Sequence, residues 1–317
     1  MELNFIKGHM GGNTIVFLNG VQIEKGKELE TALRVLSGEY LGSHEACILY
    51  PPENGGDIKV KIVGRASKRF ISACGGMTQV LGHILVETDF LSYYGVSVEK
   101  GRKRKVLLET DAGIVEILID FDEQGKAHVI TNMNSFLQEI YEKGITQLTL
   151  CGVEALRVGK FLVLNADNVK TVFRDVNFET MDEKTKEVLV KIQKEFFKAY
   201  MSNAFDFALY DLHPKRGGDI RAVFPHDITS GLIEPSCGTG SVAIGVAISY
   251  NGELSKLIGK SQNEKISVKL ILETGGGSEL GGPERTTVYL STAGPNVEEI
   301  SFSHSFVQVT AVGQVLL

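Results

Sequence analysis

The chain is poor in cysteine, proline and tryptophan. Its 317 residues include 4 cysteines, 7 prolines and no tryptophan. So few cysteines in so long a chain exclude a disulfide scaffold. A reducing, cytoplasmic setting is expected, where a special cysteine is catalytic rather than bridged. No C-x-x-C pair occurs, and the 7 histidines show no ligand spacing near the cysteines, which argues against a zinc site. Positive charge is also in deficit: 33 Lys and Arg stand against 39 Asp and Glu, a net charge of −6. That excludes a generic nucleic-acid binder, which needs a basic face. The basic run at 100–105 is brief and suits a solvated loop. Long apolar runs are missing too. None reaches the roughly 18–20 residues of a membrane span, and the opening MELNFIKGHMGG lacks a signal-peptide layout.

What is present reads as globular. Hydrophobic residues make up 43% and charged residues 23%, and the length suggests two domains. Glycine is plentiful at 35 residues, a sign of tight turns or of backbone brought close to a ligand. Strand signals dominate, with short β-branched or alternating runs at 13–18, 57–63, 105–109, 113–120, 160–165, 204–212, 266–273, 286–290 and 306–312. Amphipathic helices are expected over 27–41, 134–143 and 183–201. The last, strongly charged outside, suits either an edge cover or an oligomer contact. No low-complexity segment or short repeat stands out. Two segments differ: 75–91 carries no charge before Glu87, and 238–252 carries none. A helix apolar all round is enclosed on all sides. Two buried central helices are therefore expected, one in each of two equivalent β-rich domains.

Both segments open alike. The first begins Ser72-Ala73-Cys74-Gly75-Gly76-Met77, the second Pro235-Ser236-Cys237-Gly238-Thr239-Gly240. Each cysteine stands just before a first helical turn, whose N–H groups have no internal partners. Those groups and the helix dipole favour negative charge. A thiolate there is expected to have a lowered pKa and to be a better base. Gly75, Gly76, Gly238, Thr239 and Gly240 leave backbone N–H groups open to a substrate carboxylate. Cys47 and Cys151 lie in strand-like apolar runs and read as core packing.

On these motifs the sequence resembles the diaminopimelate epimerase-like superfamily, which includes cofactor-independent amino-acid epimerases and proline racemases. The opening Phe5-Ile6-Lys7-Gly8-His9 resembles the family's F-x-K-x-H-G-x-G-N-D start. Asn13 falls at its substrate-contacting asparagine, and Thr14 replaces the aspartate. Cys74-Gly75-Gly76 resembles the first C-G-N-G motif, with Gly76 for the usual asparagine and Met77 for the usual glycine. Cys237-Gly238-Thr239-Gly240 matches the second, C-G-T-G, in full. Glu109-Thr110-Asp111-Ala112-Gly113 resembles the T-x-A-G-x strand. Asn165 lies where epimerases carry G-N-P-H, with Asp167 at the histidine. The epimerase E-R pair falls on Ile228 and Thr229 and is missing; Arg65 replaces an asparagine nine residues before Cys74. Arg221, Phe224, Pro225, Gly231, Glu234 and Pro235 echo the phenazine-biosynthesis isomerase branch. The methylitaconate isomerase-like branch carries a related C-G-N-M.

The resemblance implies an α+β fold of two pseudo-symmetric domains, each a curved, mainly antiparallel sheet around its apolar helix. Domain one is expected at 1–122 plus 303–317, with the helix after Cys74. Domain two is expected at 123–302, with the helix after Cys237 and the site in a cleft between the two. The implied function is an amino-acid racemase or epimerase, with Cys74 and Cys237 as paired acid and base at a stereocentre α to a carboxylate. It requires neither metal nor pyridoxal phosphate, and no cofactor is expected. Two readings stand for Asn13, Asn165 and Glu234: contact with substrate, or an ordinary cap or loop role. His9 reads as structural. The alternatives are a proton-shifting isomerase of an unsaturated di- or tricarboxylate, and a non-catalytic small-acid binding protein. The expected partner is a small carboxylate or amino acid, with neither nucleic acid nor membrane; a homodimer stays open.

Overall fold

A computed structural model describes residues 1–200, 206–227, 232–261, 264–277 and 279–317. Ile228, Thr229 and Gly231 lie outside the described residues, as do Met201 and the first two residues of the strand expected from Ala204. The chain divides into two compact units, residues 1–135 with 306–317, and residues 136–305. The first division falls later than residue 122 because residues 127–132 form a strand that pairs with its predecessor in unit one. Among the described residues, no helix is long and apolar enough to cross a membrane.

Unit one contains β1 (Glu2–Met10), β2 (Asn13–Asn19), α1 (Glu28–Leu36), β3 (Glu45–Tyr50), β4 (Ile58–Gly64), β5 (Arg69–Ile71), α2 (Gly75–Glu87), β6 (Arg104–Thr110), β7 (Gly113–Phe121) and β8 (Ala127–Asn132). Helix α3 (Asn134–Lys143) follows. Unit two contains β9 (Ile145–Leu150), β10 (Val153–Val158), β11 (Phe161–Asn165), α4 (Ala166–Val172), α5 (Glu183–Tyr200), β12 (Asp206–Asp211), β13 (Ile220–Asp227), β14 (Leu232–Glu234), α6 (Gly238–Tyr250), α7 (Glu253–Ile258), β15 (Lys265–Thr274), β16 (Glu284–Ala293) and β17 (Asn296–His304). The last strand, β18 (Val307–Leu316), returns to unit one and pairs with β1.

The two units share one topology. In unit one the strands run β18, β1, β2, β3, β4, β6, β7, β8, with parallel pairs, among the described residues, at β2–β3 and β4–β6. In unit two they run β9, β10, β11, β12, β13, β15, β16, β17, with parallel pairs, among the described residues, at β11–β12 and β13–β15. Each parallel pair needs a crossover, and a helix supplies it. The first crossover helices cover the outer faces. Ala32, Val35 and Leu36 of α1 pack on Leu3, Phe5, Val16 and Ile48. Leu189, Ile192 and Phe196 of α5 pack on Leu162, Phe207 and Leu209. So α5 covers a sheet face with its apolar side, and its charges face solvent. The second crossovers, α2 and α6, are the expected central helices. All of α2 but its last two residues is buried, as is all of α6 but the last. Helix α1 stops at Leu36, short of the residue 41 expected from periodicity, because Ser37 takes an extended conformation.

The shared topology exposes a sequence repeat that the linear reading missed. Pro52-Glu53-Asn54-Gly55-Gly56-Asp57-Ile58 corresponds to Pro214-Lys215-Arg216-Gly217-Gly218-Asp219-Ile220, and Leu108-Glu109-Thr110 to Leu272-Glu273-Thr274. Each set builds the same clasp. The Glu109 carboxylate accepts N–H groups from Glu53, Asn54 and Gly56 at 2.5–2.8 Å. The Glu273 carboxylate accepts those of Lys215, Arg216 and Gly218. Asp57 and Asp219 each accept a strand N–H at 2.7 Å, from Leu107 and Ile271. Burial opposes charge on both glutamates, but the three N–H donors outweigh it and hold both carboxyls below their ordinary value. The sign follows: this stability is present above the ordinary glutamate range near 4.5 and is lost as pH falls through the lower folded value. Glu273→Gln should therefore lower Tm at pH 7 by about 4 °C or more, with the difference from wild type shrinking in acid. Thermal melts at pH 7 and pH 3 check this; an equal gap at both would contradict it.

Candidate active site

Each central helix begins at a cysteine. Cys74 takes φ −145°, ψ 115°, and its Sγ accepts the Met77 N–H at 3.3 Å. Cys237 takes φ −135°, ψ 115°, and its Sγ accepts the Gly240 N–H at 3.4 Å. Sulfur here fills the N-cap role usually taken by Ser, Thr, Asp or Asn. Both thiols are almost fully buried. The cap fixes each sulfur at the positive end of a helix dipole, beside N–H groups of the first turn.

At the first mouth the structure gathers Asn13, Cys74, Gly75 and Gly76. Asn13 opens β2 and is buried. A Cβ added at Gly76 would lie 3.5 Å from Asn13 Nδ2 and 3.7 Å from Cys74 Sγ. The missing side chain therefore leaves space between the asparagine and the thiol. The same mouth holds a group that sequence reading missed. The Cys74 thiol donates to Glu45 Oε2 at 2.8 Å. Glu45 begins β3, and the parallel β2–β3 pairing sets it beside Ile15, two residues from Asn13. Its neighbour His44 is bound to Thr14, whose N–H donates to His44 Nδ1 at 3.0 Å.

This arrangement corrects the expected thiolate. Burial pushes the Cys74 thiol well above its ordinary value; the negative charge and hydrogen bond of Glu45 push the same way, against the Met77 N–H. Cys74 thus rests as a thiol. Fully buried Cys47 on β3 is raised by burial and by Glu45 as well.

The second mouth holds Cys237, Gly238, Thr239 and Gly240. Thr239 Oγ1 lies 3.4 Å from Cys237 Sγ. Glu234 ends β14, paired opposite Phe224 of β13, and the Phe224 ring packs where a Gly240 Cβ would stand, 2.6 Å away. Gly240→Ala should therefore force the ring aside and cost about 1–3 kcal/mol. Gly76→Ala, with its nearest contact at 3.1 Å on the Ile15 side chain, should cost less. Thermal melts that ranked these two in the opposite order would contradict the packing described.

Other candidates fall elsewhere. Asn165 ends β11 and caps α4: its Oδ1 accepts the Asp167 N–H at 2.9 Å, and its Nδ2 donates to Glu253 at 3.0 Å. Asp167 meets His213 at 3.1 Å and Lys170 at 3.5 Å. Ligand atoms of Asp167, Asp211 and His213 lie within 4.8 Å of one another, but Lys170 and Arg221 already pair with Asp211. Arg221 is buried between Asp211 and Glu179. His9, near the end of β1, bridges Gly12 in the β1–β2 turn and Gln308 of β18. Cys151 is partly buried and packs against the hydrophobic core of unit two, as expected, although it stands in a turn rather than in a strand. It sits in the two-residue turn closing β9 and β10 at φ 51°, where Glu195 accepts both its N–H and its thiol. Burial and then Glu195 push its thiol up to about 11.

No protein-family model and no curated protein matches the chain. Solved structures do. A phenazine-biosynthesis protein of the PhzF family from Bacillus anthracis superposes with a TM-score of 0.61 at 16% identity, covering 100% of both chains. A hydroxyproline epimerase from Agrobacterium vitis, with bound trans-4-hydroxy-L-proline, gives 0.65 at 14% identity over 99% of this chain and 91% of that one. A methylitaconate-delta-isomerase gives 0.61 at 14% identity over 99% and 95%. The repeated topology, the two enclosed helices and these full-length superpositions give the chain the diaminopimelate epimerase-like fold.

Proposed function

We propose that the protein is a cofactor-independent isomerase that moves a proton at a carbon next to a carboxylate, using Cys74 and Cys237 as acid and base. The observation that carries this is the matched cap: in both units a buried thiol accepts the N–H three residues on at the mouth of an apolar helix. Such a mouth offers N–H groups to a carboxylate and steadies the charge that develops when the neighbouring carbon loses its proton. Inversion needs a donor and an acceptor on opposite faces of that carbon, and reversal of direction exchanges their roles. Because Cys74 rests as a thiol, it starts as the donor. To act as base it must first pass its proton to Glu45. Asn13 holds the substrate beside Cys74. The fold neighbours that are epimerases or isomerases support the reaction class.

An amino-acid racemase or epimerase is the first reading. The second is a proton shift with double-bond movement in an unsaturated di- or tricarboxylate. Glu45 favours it, because it gives the first mouth a carboxylate able to hold a proton in its own right. A panel of amino acids in deuterated water, read by mass spectrometry, beside a panel of unsaturated acids read by ultraviolet absorbance, separates the two. Affinity for an acid with neither exchange nor isomerisation in either panel would instead mark a binding protein and overturn the proposal.

A further inference from the structure

A polar cluster lies buried behind the second mouth, outside the chemistry described so far. Ser236, the residue before Cys237, is fully buried. Its Oγ lies 3.0 Å from His304 Nε2, 3.4 Å from Thr274 Oγ1 and 3.5 Å from Glu284 Oε2. His304 Nε2 and Glu284 Oε2 are 3.6 Å apart, and Thr274 Oγ1 is 3.2 Å from Thr286 Oγ1. The main chain ties in as well: the Gly275 N–H donates to the Pro235 carbonyl at 2.8 Å. The ends of β15 and β17 and the start of β16 thus converge on the two residues preceding Cys237.

The first unit does without this device. Ala73 stands where Ser236 does, and Glu45 holds the Cys74 thiol directly. The cluster is therefore not a requirement of the fold. Nor is a buried histidine–carboxylate pair a strong source of stability, since desolvation offsets most of its attraction. What such a network does supply is a fixed geometry. Cys237 is in extended conformation, so adjacent side chains leave on opposite sides. A hydroxyl anchored on one side fixes the backbone from which the thiol projects on the other.

We propose that His304, held by Glu284, is a positioning residue for Cys237: it anchors the Ser236 hydroxyl and so keeps Cys237 Sγ on the Gly240 N–H. It rests on the reading of Cys237 as a proton-carrying thiol, and the reactivity of that thiol tests it apart from turnover. The experiment is iodoacetamide alkylation of the full chain across pH, with the Cys74 and Cys237 peptides followed separately by mass spectrometry. A thiolate that leaves its cap loses the stabilisation of the helix terminus. Ser236→Ala and His304→Leu should therefore move the Cys237 midpoint up by about half a pH unit and leave that of Cys74 in place. His304→Gln, whose amide nitrogen reaches the Nε2 position, should restore it. Ser236→Ala copies the alanine of the first unit, so it keeps the test decisive if His304→Leu does not fold. An unmoved Cys237 midpoint, an equal shift at both cysteines, or a glutamine variant indistinguishable from leucine would each overturn the assignment.

Discussion

Cys74→Ser and Cys237→Ser should each lose about three orders of magnitude in kcat/KM for proton transfer next to the substrate carboxylate. Serine is a preferred N-cap residue. Its hydroxyl can accept the Met77 or Gly240 N–H that sulfur accepts now. The helices should therefore keep their caps and the variants should melt close to wild type. What serine cannot do is carry the proton, because its hydroxyl is far too weak an acid to cycle near neutral pH. Loss of activity without loss of Tm is thus expected at both positions. Alanine at either site should lose both, since a missing cap costs about 1 kcal/mol. A serine variant that retained a tenth or more of wild-type activity would remove that cysteine from the mechanism.

Glu45→Gln is expected to have the next largest effect, about a hundredfold in kcat. The amide oxygen still accepts the Cys74 thiol proton, so the contact survives. It cannot take that proton away, so the half of the cycle in which Cys74 acts as base should stall. Removing the negative charge should also lower the Cys74 thiol, because Glu45 is among the causes that raise it. The two effects run in opposite directions: a more acidic thiol, measured by the pH dependence of alkylation, in a slower enzyme. A carboxylate that merely positioned the thiol would leave kcat nearly intact in the glutamine variant, and that result would exclude proton transfer through Glu45.

Much of the fold was legible because its signals are local. The 75–91 and 238–252 segments read as enclosed helices because the first carries no charge before Glu87 and the second none at all, and α2 and α6 are enclosed. The cysteine–glycine mouths read as a pair because four or five adjacent residues carry each one. What the sequence hid was assembled by pairing across distance. Glu45 sits in an ordinary apolar run, EACILY, and only the parallel β2–β3 register brings it to Cys74, 29 residues further on. The two clasps share a loop and a strand tripeptide, but unlike residues separate those pieces, and the match shows only when both are folded. Cys151 packs against the core as its apolar neighbours suggest, but it stands in the turn after β9, where a Cys-Gly pair suits a tight hairpin with positive φ. The cluster under Ser236 joins residues from β15, β16 and β17, each unremarkable in its own strand.

The central claim is that two capped thiols exchange a proton with the carbon next to a carboxylate. It is tested most directly by incubating the protein in deuterated water with a panel of amino acids and unsaturated acids and measuring deuterium at that carbon by mass spectrometry. Deuterium should enter at least one acid with the wild-type protein and fail to enter it with Cys74→Ser and Cys237→Ser. Full incorporation by both serine variants would contradict the account.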